Sequence, residues 1–170
     1  MIYIRTFIVI LLIIFTIFVV VMNLLSNYYQ PADTSTSLST GQLEFTLETG
    51  KKVFQQGEDI DIKLSVKNIT DKPVTLEFET TQSCVFIIRQ QVNFVFFSYG
   101  MDVWKSSYGK RYEEKENQIV LKQGQKKTFQ TAWKQVNAKG EPVNPGKYVI
   151  SAALLTKNKQ PLLQLRMNTK

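Results

Sequence analysis

From Gly41 onward, apolar and polar residues alternate along the chain. Leu43, Phe45 and Leu47 alternate with Glu44, Thr46 and Glu48, and Ile60, Ile62, Leu64 and Val66 with Asp59, Asp61, Lys63 and Ser65. Val74, Leu76 and Phe78 repeat the pattern against Thr75, Glu77 and Glu79. Successive side chains of a strand point to opposite faces, so each run predicts a strand with one buried and one wet face. Asn68-Ile69-Thr70-Asp71-Lys72-Pro73 supplies turn formers and predicts an antiparallel hairpin between the second and third runs. The same stretch contains an Asn-x-Thr glycosylation sequon, for which a tight turn is the simpler account. Further strands are predicted over 84–89, in one or two runs within 94–106, and over 118–121, 127–133, 147–154 and 162–167. Lys122-Gln123-Gly124-Gln125 reads as a hairpin turn and Asn144-Pro145-Gly146 as a turn with Pro second and Gly third. Eight or nine short strands without helical periodicity predict an all-β fold, an immunoglobulin-like antiparallel β-sandwich, with a partly closed barrel as the structural alternative.

The amino-terminal pattern is different. Phe7 to Met22 is an almost uninterrupted apolar run behind Arg5. At ~1.5 Å per helical residue, residues 6–25 reach roughly 30 Å, about a hydrocarbon core. The run is longer than the apolar part of a cleavable signal, and a large Leu24 stands where a small residue should precede Ser26. The pattern therefore predicts a cytoplasmic segment 1–5, a transmembrane signal-anchor 6–25, a Ser/Thr-rich juxtamembrane linker 26–42 and a sandwich domain 43–170. No Lys or Arg follows the run until Lys51, so the expected placement is a single-pass protein of the cell membrane, amino terminus cytoplasmic and domain extracytoplasmic.

Composition narrows the chemistry. There is no histidine, which removes the commonest general base, the usual activation of Ser and Cys nucleophiles and most transition-metal sites. Gly57, Gly100, Gly109, Gly124, Gly140 and Gly146 read as isolated turn residues rather than a phosphate loop. Ser106-Ser107-Tyr108-Gly109 holds hydroxyls with no base to activate them and reads as a turn. Glu58, Asp59 and Asp61 read as a solvated acidic strand entrance rather than a calcium site. No catalytic residue, cofactor or metal ligand is expected, and the chain is not expected to be an enzyme. The single Cys84 precludes an internal disulfide and reads as a small buried hydrophobe. The net charge of +7 lies on scattered lysines interleaved with Glu113, Glu114 and Glu116, a basic solvated surface without a nucleic-acid motif. Trp104 and Trp133 read as core anchors. Phe94, Phe96, Phe97 and Tyr99, with Val95, form the most unusual segment, and they are the candidate partner-binding residues through an exposed aromatic edge.

Several features recur in a recognisable order: Gly57-Glu58 before the Ile60 strand, Val66-Lys67-Asn68 leading to Pro73-Val74-Thr75-Leu76-Glu77-Phe78, then Val103-Trp104-Lys105-Ser106. Leu121-Lys122-Gln123-Gly124-Gln125, Phe129 with Trp133, and Pro145-Gly146-Lys147-Tyr148 follow. This ordered set, from Gly57 to Leu154, resembles the bacterial intracellular proteinase inhibitor (BsuPI) family. The resemblance implies an immunoglobulin-like sandwich and inhibition of a serine protease. The segment between Arg89 and Gly100 is longer and more apolar than the short turn expected there. The anchor, the all-β pattern and the absence of histidine together predict a non-catalytic protein-interaction module facing the cell envelope, with another protein as partner; the resemblance adds inhibition of an extracytoplasmic protease as a special case. The alternative is a structural domain adhering to anionic wall polymer or lipid through its basic surface.

Overall fold

The computed structural model describes residues 10–22, 33–93, 98–158 and 160–170. The chain divides into two compact units. In the first, residues 10–22 form a helix of thirteen residues with every side chain exposed. Its Thr16 hydroxyl turns back to the Ile13 carbonyl at 2.8 Å. Thirteen residues rise about 20 Å, against the roughly 30 Å of a hydrocarbon core. Among the described residues no helix is long and apolar enough to cross a membrane. This corrects the expected single-pass anchor and the extracytoplasmic placement built on it. Residues 6–9 and 23–25 of the expected span lie outside the described residues.

The second unit is all β. Its eleven strands are β1 (Ser35–Thr40), β2 (Leu43–Thr49), β3 (Val53–Phe54), β4 (Ile60–Asn68), β5 (Val74–Phe78), β6 (Cys84–Asn93), β7 (Ser98–Lys105), β8 (Asn117–Leu121), β9 (Lys126–Trp133), β10 (Gly146–Leu154) and β11 (Leu163–Thr169). They form a four-stranded sheet β1-β2-β4-β9, a five-stranded sheet β3-β11-β10-β6-β7 and a two-stranded sheet β5-β8. The short β3 departs from the antiparallel expectation by pairing parallel with β11. Ser35–Thr40, which composition placed in a linker, pairs with β2 along its whole length, and Ser37 shares a 3.0 Å hydroxyl hydrogen bond with Thr46. One apolar residue, Leu38, cannot announce such a strand by periodicity.

The alternation does what it predicts. Phe45 and Leu47 of β2, Ile62 and Leu64 of β4, Ile88 of β6, Ile150 of β10 and Leu165 of β11 join one buried cluster fed by both larger sheets. Leu76 and Phe78 of β5 and Leu121 of β8 complete it. Trp133 is fully buried, its ring 5.3 Å from that of Tyr148, and its indole N–H donates to the Val136 carbonyl at 2.8 Å. Trp104 is half-buried against the cluster.

Two expected hairpins are corrected. β4 and β5 lie in different sheets, as do β8 and β9. Asn68 stands at the crossing from β4 and has no exposed surface. Its amide N–H groups donate to Lys72 O at 2.7 Å and Leu121 O at 2.9 Å, and its Oδ1 accepts from the Thr70 N–H at 2.9 Å. A turn forms at the expected residues, as an Asx turn closed by the Thr70 N–H, but it leads the chain away from β4 into the small sheet instead of back along β4.

Candidate functional site

β9 is an edge strand: β4 is its neighbour on one side, and no strand among the described residues pairs with the other. Every second residue of an antiparallel edge turns its N–H and C=O away from the sheet. On β9 the row in phase with the buried Trp133 consists of Thr131, Phe129 and Lys127, and its exposure grows towards Lys127. The strand therefore lifts off the core as it runs back from Trp133. An open groove of about 360 Å³ lies along it.

The opposite wall is built by residues 81–84, which lead into β6, and by Ser106, Lys110 and Tyr112. The groove is lined by hydroxyls and amides with Phe129, Phe86 and Ile119 between them. Two lysines, Lys110 and Lys127, reach its rim and no carboxylate lines it. The lining contains no activated nucleophile. Ser106 is buried, its Oγ accepting from the Phe86 N–H at 3.0 Å. Desolvation pushes the Cys84 thiol up to about 12, so it stays protonated.

The connection between β7 and β8 closes the groove and is tied to the body of the domain. The Thr81 N–H donates to Glu113 O and the Glu113 N–H to Thr81 Oγ1, each at 3.0 Å. Asn117 donates from its amide to Thr80 O at 3.2 Å. The Lys157 ammonium bonds Glu116 at 2.5 Å, which lowers the Glu116 pKa and raises that of Lys157. On β6 and β7, Arg89 and Lys105 both bond Asp102, at 2.5 and 3.2 Å. Burial pushes the Asp102 carboxyl up, and the hydrogen bonds from Arg89 and then Lys105 outweigh it, leaving the carboxyl below its usual range.

Of the residues expected to bind a partner, Phe94, Phe96 and Phe97 lie outside the described residues, and Tyr99 falls within β7 with its side chain undescribed. The groove residues are not among those expected from the sequence to bind a partner. A signal for them existed: Lys127 shares the inward row of β9 with Phe129 and Trp133, and a lysine there marks a strand leaving the core. Glu58 pairs with Lys51 at 2.5 Å, and among the described residues no group of three ligating side chains gathers.

A family model described as intracellular proteinase inhibitor, BsuPI, matches residues 47–159, which include both walls of the groove and the loop that closes it. An intracellular description runs against the extracytoplasmic placement as well. None of the curated proteins compared with the chain matches it. Among solved structures, a β-glucosidase from Erythrobacter marinus is 15% identical over 80% of this chain and 15% of its own, with a TM-score of 0.43. The DNA glycosylase AlkC of Pseudomonas fluorescens is 12% identical over 76% of this chain and 31% of its own (TM-score 0.45). The sporulation control protein Spo0M of Bacillus subtilis is 10% identical over 77% and 50% (TM-score 0.46). The chain thus spans half or less of each of these three structures. At these scores they assign no activity.

Proposed function

Since the chain belongs to the BsuPI family of intracellular proteinase inhibitors, we propose that it is a non-catalytic inhibitor whose partner is a serine proteinase. The observation that carries this is the extent of the family match, residues 47–159, which takes in the core strands β4 to β10 as one piece. We read the two larger sheets over their shared cluster as an immunoglobulin-like sandwich. The contact face proposed is the groove beside β9 together with the β7–β8 connection. Proteinases bind chains in extended form, and a tethered loop next to a free strand edge offers backbone groups without an ordering cost. Phe94, Phe96, Phe97 and Tyr99 are kept as a second proposed contact.

Adhesion to an anionic polymer is not favoured. On the outward face of β2 and β4, Lys63 and Lys67 stand opposite Glu48 and Glu44, so the charge there is mixed. The test of inhibition is a titration of the purified full chain against a panel of serine proteinases at fixed enzyme concentration. Saturable loss of activity at one-to-one stoichiometry is expected. Undiminished activity at a large excess of the chain, or its rapid digestion, refutes the proposal. Serine replacements at the four aromatic positions, run in the same titration, show whether they contribute.

A further inference from the structure

The connection between β7 and β8 is fastened at two places with a short free stretch between them. On its entry side the Ser106 N–H donates to Phe86 O at 2.9 Å, and the N–H groups of Tyr108 and Lys110 donate to Lys105 O and Ser107 O, each at 3.1 Å. Gly109 turns the chain there with φ +70°. On the exit side stands the double hydrogen bond of Glu113 with Thr81. Only Arg111 and Tyr112 lie between the fastenings, in a stretch that is neither helix nor strand. Tyr112 is half-buried in the groove wall. Arg111 is exposed, and among the described residues its guanidinium meets no carboxylate and no hydrogen-bond acceptor.

We propose that Arg111 is the primary specificity residue this chain presents to its proteinase, and that the proteinase is one whose specificity pocket carries a carboxylate. The inference rests on the inhibitor reading above and deepens it. An unpaired guanidinium matches a buried carboxylate in bidentate geometry, and a carboxylate at the base of the pocket is how a serine proteinase selects a basic residue. The two fastenings hold the Arg111 backbone before binding, so little ordering is left to offset. They also explain inhibition rather than digestion. The serine Oγ of the enzyme bonds to the Arg111 carbonyl carbon, the bond to the Tyr112 nitrogen breaks, and that nitrogen takes up the proton. Glu113, held by Thr81, keeps the new amine beside the acyl carbon. The reverse reaction, in which the amine expels the serine oxygen and returns the proton, then outruns water. Lys115 differs: it lies beyond the Glu113 fastening, next to Glu116, which Lys157 holds.

The experiment measures inhibition constants of the full chain for trypsin, which cleaves after Lys and Arg, and for subtilisin, which prefers apolar residues. Arg111→Leu is expected to weaken inhibition of trypsin on the order of 100-fold, as loss of a desolvated charge pair does. Arg111→Lys should stay within about tenfold, one hydrogen bond's worth, and Arg166→Leu, an exposed position on β11 away from the proposed contact face, should leave inhibition unchanged. Matching thermal melts establish that the variants fold. Undiminished inhibition of trypsin by Arg111→Leu, or inhibition of subtilisin alone by the parent chain, overturns the assignment of Arg111 and leaves the inhibitor reading standing. Inhibition of neither enzyme, or ordinary cleavage of the Arg111–Tyr112 bond, overturns both.

Discussion

Asn68→Ala should be among the most damaging substitutions of a polar residue in the domain. The side chain is wholly buried at the end of β4 and makes four hydrogen bonds: to Lys72 O and Leu121 O as donor, and from the N–H and hydroxyl of Thr70 as acceptor. A typical intramolecular hydrogen bond contributes about 1 kcal/mol net, and a buried group left without its partner costs about 1–3 kcal/mol. The Thr70 groups are near the surface and return to water, whereas Leu121 is buried and its carbonyl loses a donor. The expected loss is therefore about 3 kcal/mol, or roughly 10 °C in midpoint for a domain of this size. Urea unfolding followed by the fluorescence of the buried Trp133 measures it, with an unchanged denaturant slope showing that the same surface unfolds. A loss below about 1 kcal/mol would falsify the view that Asn68 directs the chain from one sheet to the next.

Two further outcomes follow from the titrating groups. The Asp102 carboxyl is held below its usual range, so its pairing stabilises the fold above the unfolded carboxylate pKa of about 3.9, and that contribution disappears as the pH falls through the folded value. Asp102→Asn should lower stability at pH 7 by roughly 0.5–1 kcal/mol, the figure for a screened surface pair, and the gap should close in acid; urea midpoints that differ equally at both pH values refute this. The Cys84 thiol, pushed up to about 12 by burial, should react with a disulfide reagent at pH 8 on the order of 100-fold more slowly in the native chain than in urea. Equal rates would show that the thiol is not desolvated.

The long strands were legible because their inward rows are unbroken. Ile60 to Val66 and Tyr148 to Leu154 each keep one face apolar, and a period of two has no other outcome in a half-buried chain. β1 was not legible, since serine and threonine side chains carry no inward row and the strand exists through its backbone pairing with β2. The helix was legible as a helix over its described residues 10–22. The length of the apolar run and its flanks made it a membrane span, whereas among the described residues no helix is long and apolar enough to cross a membrane. The groove was hidden for another reason. Its walls come from residues 81–86, 106–112 and 127–131, and nothing in the separate segments indicates that they meet.

By itself, then, the order of residues determined the all-β class, the two tryptophans as core-contacting residues and the family, because these depend on local alternation and on motifs read in sequence. Only the tertiary structure decided which strands are neighbours. Pairing is chosen by long-range packing, so Asn68 could look like a hairpin turn while serving as a crossing between sheets. The same holds for the candidate site. Arg111 is one basic residue among many in the sequence, and it stands apart only once Ser107 and Thr81 are seen to fasten the chain on either side of it.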